Sequence, residues 1–278
     1  MSVFFVVVIA IGWVVSWYMD SAFILYIAVG FALLMNIYSY WNSDKLVLRM
    51  THALEADPVE YRELHRMVEN LAITAGLPKP RVYIVKDPAP NAFATGRDPK
   101  HGVVAVTTGL LGILDRTELE GVLAHELAHI GNRDILVSTV AVVLAGFVAI
   151  VADIFLRMLI YGGGGRGRNG HPIVLVLGVV AVILAPIAAS LIQLAVSRKR
   201  EFLADASGAL LTRYPDGLAS ALMKISQHGR EMKHASNATA HLFIANPFGA
   251  KRGIGASLSK LFSTHPPVHE RVAALRNE

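Results

Sequence analysis

The chain has 278 residues, no cysteine, 17% charged residues and a formal net charge of +5. Without cysteine there is neither a disulfide nor a thiolate ligand, so any bound metal must be held by His, Asp or Glu. More than half of the residues are hydrophobic, unusual for a soluble globule, and no aromatic-basic alternation of a nucleic-acid-binding kind is visible, so the basic excess points to a membrane surface.

Val3 to Met19 and Ala22 to Tyr38 are uncharged, and each is just long enough to span a bilayer as a helix. Only Asp20 and Ser21 separate them, so the pair is expected to form a tight hairpin. The first stretch lacks the basic start and the small-x-small site of a cleaved signal peptide. Lys45 and Arg49 follow the second stretch, and most other Lys and Arg lie in the polar segments. The positive-inside rule puts those segments, and both termini, on the cytoplasmic side. Asp57 to Gly76 reads as an amphipathic helix with Leu64, Met67, Val68, Leu71 and Ile73 inward, stopped by Pro78 and Pro80. Arg81 to Val85 and Val103 to Thr107 read as strands joined by a loop around Pro88 and Pro90. Thr117 with Glu120 forms a capping box for a helix carrying Leu119, Val122, Leu123, Leu127 and Ile130 and stopping at Gly131 and Asn132.

A third uncharged stretch runs from Ile135 to Ala152, before Asp153 and Arg157. A fourth, containing Pro186, runs from Ile173 to Val196. Between them, residues 162–170 form a Gly- and Arg-rich loop with no core-forming side chains. Arg166 and Arg168 in that loop leave two topologies open, a full crossing or a hairpin that only inserts. Asp216 to His228 reads as a helix, and a last one follows Pro266 and Pro267 with Val272, Ala273 and Leu275. The expected fold is mainly α-helical, with about four transmembrane or membrane-inserted helices and a small β-sheet. The expected division is an N-terminal hairpin at 1–42, the first part of a cytoplasmic catalytic domain at 43–134, a second apolar hairpin at 135–197, and the rest of the catalytic domain at 198–278.

The chemistry sits at His125-Glu126-Leu127-Ala128-His129. Two His at i and i+4 lie on one helix face, where both imidazoles reach one Zn²⁺. Glu126 projects beside them, placed to take a proton from the metal's water. A catalytic zinc needs a third protein ligand and an open position. Glu201 supplies it, one helical turn before Asp205, which would accept the free N–H of a ligating His. His129 is six residues before Ile135, at most about 20 Å of chain, and Glu201 follows Val196 by five residues, roughly 8 Å as a helix. The metal is therefore expected at the cytoplasmic membrane surface.

Four pieces occur in one order: Asn91-Ala-Phe-Ala-Thr-Gly96, His125 to His129, Ser197-Arg-Lys-Arg-Glu-Phe-Leu-Ala-Asp205, and Thr264-His-Pro-Pro267 with Arg271. On these the chain resembles the HtpX family of heat-shock membrane zinc endopeptidases, in the same broad group as the CAAX prenyl endopeptidases. The resemblance covers essentially the whole chain. It implies a gluzincin-type protease domain with one Zn²⁺ per subunit, held in the plasma (inner) membrane and facing the cytoplasm. It implies substrates that are misfolded or damaged membrane proteins or unfolded polypeptides, a lipid bilayer as partner and no nucleic acid. It implies that Asn91, Ala92 and Phe93 belong to an edge strand to which a substrate peptide adds. It also implies that His265 stabilises the oxyanion, and that Arg271 anchors Asp205 or a substrate carbonyl. Two alternatives stand beside this: a CAAX-type prenyl protease, which would carry more spans around a chamber, and a non-catalytic scaffold, against which the retained Glu126 argues. The oligomeric state is left open.

Overall fold

A computed structural model describes residues 9, 13, 16–17, 21–136, 138–139, 198–234, 236, 239–248 and 266–277. The chain divides into two compact units, Met1–Ser43 with Val140–Ile192, and Asp44–Thr139 with Gln193–Glu278. The first apolar stretch (four single positions apart), almost all of the third, the whole fourth, the loop between them and His265 lie outside the described residues.

Helix α1 (Ala22–Met50) runs through the second expected span and on into the polar segment, and its residues up to Ser43 belong to the first unit. It contains no Pro and a single Gly, Gly30, so nothing breaks it at Tyr38. Phe23, Tyr26, Leu33, Leu34, Ile37 and Trp41 are exposed along it. Among the described residues no helix is long and apolar enough to cross a membrane.

The second unit holds a four-stranded sheet in the order β1–β2–β4–β3, formed by β1 (Leu54–Glu55), β2 (Arg81–Val85), β3 (Ala92–Thr95) and β4 (Val103–Thr107). β2 and β4 run parallel with Val82 opposite Val104, while β1 and β3 are antiparallel to their neighbours. Every residue of β4 is buried, which accounts for its continuous rather than alternating apolar pattern. β3 lies inside the segment that the sequence pattern reads as a loop, and it forms the sheet edge nearest the site.

Helix α2 (Arg62–Thr74) starts later than the apolar pattern predicts. The Asp57 carboxylate accepts the N–H groups of Val59 and Glu60 at 2.8 and 2.9 Å, closing a turn ahead of the helix. Ile73, expected inward, is 72% exposed and Ala72 is buried in its place. Nine residues from Leu64 put Ile73 half a turn round the helix from the buried stripe.

A short helix, α3 (Thr108–Ile113), leads from β4 to the central helix α4 (Arg116–Gly131). The cap of α4 is Asp115, not Thr117. The Asp115 side chain accepts Glu118 N–H at 2.9 Å, and the Glu118 carboxylate accepts Asp115 N–H at 3.0 Å. Thr117 only donates its hydroxyl to Asp115. Glu118 is the box partner because Ser220 and Lys224 hold its two oxygens from across the core, at 2.6 and 2.7 Å.

Around α4 pack α5 (Arg198–Thr212), α6 (Pro215–Gln227), α2, β3 and β4, so it is buried on nearly every face. Glycine permits two of the close approaches to it. A Cβ on Gly208 of α5 would stand 2.9 Å from His125 N, and one on Gly121 of α4 would stand 2.7 Å from Leu218 N. The first approach presses α5 onto the helix turn that carries His125. A last helix, α7 (Val268–Arg276), packs on α5 and α6.

Candidate metal centre

Helix periodicity puts His125 and His129 on one face of α4, and Glu201, Asp205 and Gly208 on the facing side of α5. His125, Glu126, Glu201 and Asp205 are all buried. Asp205 Oδ1 lies 2.9 Å from His125 Nδ1, and Asp134 Oδ2 lies 3.1 Å from His129 Nδ1. A carboxylate only accepts, so each Nδ1 carries the hydrogen, and the neutral form of each ring turns a lone pair outward on Nε2.

Those two Nε2 atoms are 3.2 Å apart. Glu201 lies 3.7 Å from the His125 Nε2 and 3.5 Å from the His129 Nε2. Three lone-pair atoms thus face one another, an arrangement that a cation satisfies. A tetrahedral zinc with bonds of about 2.05 Å sets its ligand atoms about 3.3 Å apart, so the residues fit the ion. Among the described residues these three form the group whose ligand atoms are close enough to share a metal.

The charges around the three are arranged unequally. Burial presses Asp205 upward, but the hydrogen bonds from Arg271 and His125 hold it down at about 2. Arg271 is itself 1% exposed and grips Asp205 with two donors, Nε at 2.8 Å and Nη2 at 2.6 Å. Burial drives His125 down to about 4 despite Asp205. His129 goes the other way, to about 9, because Asp134, Glu201 and Glu126 outweigh its burial. Both rings must be neutral to bind a metal, so loading the site releases protons.

Glu126 lies between these ligands and β3. Burial and the charge of Glu201 push its carboxyl up to about 7, against the pull of His129 and a hydrogen bond from the Ala94 backbone. A cleft lined by Ala94, Glu126, His129, Ile135, Ser138, Glu201, His241 and Leu242 encloses about 30 Å³, room for a water or two.

Of the expected substrate strand, only its continuation at Ala94 reaches this cleft. Asn91, Ala92 and Phe93 are covered by the chain at 243–245. Asn91 Nδ2 donates to Ala245 O at 3.0 Å and its Oδ1 accepts Ala245 N–H at 3.1 Å. Ala92 O accepts Ile244 N–H at 3.0 Å, and Phe93 stacks edge-on against Phe243 at 5.2 Å. Arg271 is on Asp205, one of the two roles expected of it. No sequence signal marks His241, Leu242 or Phe243 for the site, because no spacing rule links them to β3. Asp134 carried a weak signal, an acid just past the helix stop.

Three comparisons bear on this constellation. A profile described as Peptidase family M48 matches residues 58–278. A "Protease HtpX homolog" of Caldanaerobacter subterraneus subsp. tengcongensis is 46% identical over 99% of this chain and 91% of its own length. Another of the same description from Pyrococcus furiosus is 52% identical over 90% of this chain and 85% of its own. Among solved structures, S. mikatae Ste24p aligns with a TM-score of 0.54 at 19% identity, covering 94% of this chain and 60% of that one, a likeness of fold.

Proposed function

Because this chain belongs to peptidase family M48, among the HtpX proteases, it is a zinc-dependent endopeptidase, and we propose that it works at a membrane on misfolded or damaged membrane-protein segments. The observation that carries the chemistry is the convergence of His125, His129 and Glu201 beside Glu126. These three side chains would hold one zinc per chain. Once bound, zinc acidifies a water and polarises the scissile carbonyl. Glu126 takes the proton of the attacking water and hands it to the leaving amine. A carboxyl lifted towards neutrality suits both transfers. Asp205, locked by Arg271, keeps the His125 ring in its metal-binding tautomer.

For the substrate we propose an extended peptide paired to the outer edge of β3 at Ala94, since Ala92 O is already taken by Ile244. His265 keeps its proposed role as oxyanion donor. Chain connectivity supports this, since Arg271 at the centre is six residues on, within about 20 Å of chain. Membrane association is supported by the exposed aromatic and aliphatic side chains of α1 and by Lys45 and Arg49 exposed at its far end. On that reading the catalytic unit faces the cytoplasm of a multi-pass protein of the inner membrane. The prenyl-protease alternative is not favoured, since the relatives at 46–52% identity are HtpX proteases.

The test compares wild type with Glu126→Gln in detergent, by zinc content and casein cleavage. Both proteins should hold one zinc, and only the wild type should cleave, with chelator abolishing it. A wild type without zinc, or a variant that still turns over, would sink this reading.

A further inference from the structure

We infer that Asp134 is the positioning residue for His129, and that Arg200 fastens Asp134 in turn. This rests on the zinc reading above. Asp134 is buried. Its Oδ2 lies 3.1 Å from His129 Nδ1, and its other oxygen makes an ion pair with Arg200 Nη1 at 3.3 Å, without hydrogen-bond geometry. Arg200 is the residue immediately before the third ligand, Glu201. One carboxylate thus touches the second ligand with one oxygen and the neighbour of the third ligand with the other. Residues 135–199 separate those two contacts in the chain, so the ion pair ties the two halves of the ligand set together beside the metal.

The placement is built by the end of α4. Asn132 N–H still bonds Ala128 O at 2.8 Å, and Arg133 then adopts φ 60, which turns the chain back over the last helical turn. Asp134 lands on the Nδ1 edge of the ring. That edge is away from Nε2, so Asp134 is not a ligand but the carboxylate that sets the ring's tautomer and aim. Asp134 therefore does for His129 what Asp205 does for His125, from the turn after α4 rather than the middle of α5 and with a different cation.

The experiment uses the full chain in detergent, with Asp134→Asn, Arg200→Gln and the double variant. Zinc affinity is read by chelator competition, ligand geometry by the visible spectrum of the Co²⁺-substituted protein, and fold by the unfolding midpoint of the stripped protein. Asp134→Asn should lower zinc affinity by about tenfold to a hundredfold, shift the cobalt bands, and barely move the metal-free midpoint. Arg200→Gln should lose several-fold, and the double variant should be no worse than Asp134→Asn, because Arg200 acts through Asp134. A wild type that binds zinc beside an Asp134→Asn protein with the same affinity and spectrum overturns this inference alone. A wild type that takes up no zinc overturns the metal reading and this inference with it. If Asp134→Asn does not accumulate, Arg200→Gln decides: unchanged affinity and spectrum there also overturn the inference.

Discussion

The two histidines of the centre are one helical turn apart, yet they are held in opposite ways. His125 is held from a distance in sequence, by Asp205 on α5, and Asp205 is locked by an arginine that is 1% exposed. His129 is held locally, by Asp134 five residues on, and the arginine behind it has 36% of its side chain in solvent. The inner support is part of the core, and no water can replace it. The outer support sits nearer the rim: Asp134 is buried, but part of the Arg200 side chain reaches water. The core thus fixes one ligand through folding itself, while the other depends on a turn and a rim contact that can be altered without dismantling the fold.

The largest expected effect is at the inner arginine. Arg271→Met should leave Asp205 as a buried carboxylate that keeps only its His125 contact, a loss of about 3–5 kcal/mol. The unfolding midpoint should fall by roughly 10 °C. Removing the cation of the outer support should cost only about 1 kcal/mol in metal-free protein, because Arg200 is partly solvated and Asp134 keeps its His129 contact. Comparing the midpoints of Arg271→Met and Arg200→Gln, both stripped of metal, checks the contrast. Equal losses would mean that the two supports do not differ as described.

The same contrast explains what was legible in the sequence. His125, Glu126 and His129 show because a helix turns an i, i+4 spacing into one face, and Glu201 shows because its partner acid is also one turn away. Asp134 shows only as an acid past the helix stop, because its reach to His129 depends on the left-handed backbone at Arg133, which no spacing predicts. The cap of α4 misled for a related reason. Asp115 with Glu118 and Thr117 with Glu120 both fit the capping-box pattern, and the choice is made by Ser220 and Lys224, over a hundred residues away. The cover over Asn91 to Phe93 comes from residues 243–245, equally remote in sequence. Periodicity reported the elements that face one neighbour. It failed where a residue's partner lies across the core.

Glu118 calibrates the outer support without a metal nearby. Its carboxylate is buried and its cation, Lys224, has 40% of its side chain exposed, close to the exposure of Arg200. Burial pushes Glu118 up, but Lys224, Ser220 and the Asp115 N–H more than offset it, so its folded pKa lies below the ordinary 4.5. A carboxyl lowered on folding contributes stability that is fully present above the unfolded pKa and is lost as pH falls through the folded one. Glu118→Gln should therefore cost about 1–2 kcal/mol at pH 7, and the gap between variant and wild type should close on acidification below about pH 4. Urea midpoints of both proteins across that range test it. A gap that stays constant with pH would show that the carboxylate's charge is not what Lys224 and Ser220 recognise.

The smallest effect separates the turn from the ion pair in the outer support. Arg133 is exposed and sits at φ 60, where a side chain crowds the following carbonyl at a cost of about 1 kcal/mol or more. Glycine removes that crowding but gains freedom in the unfolded chain, which returns about 0.5–1 kcal/mol. Arg133→Gly should thus stabilise the protein by at most a few tenths of a kcal/mol, the difference between those two estimates. Because the turn keeps its path and Asp134 keeps both its contacts, zinc affinity should stay within about twofold, well short of the loss tied to an orienting carboxylate. Chelator competition beside an unfolding curve measures both. A large loss of affinity with stability unchanged would mean that the stiffness of the turn, rather than the contacts of Asp134, aims His129 at the metal.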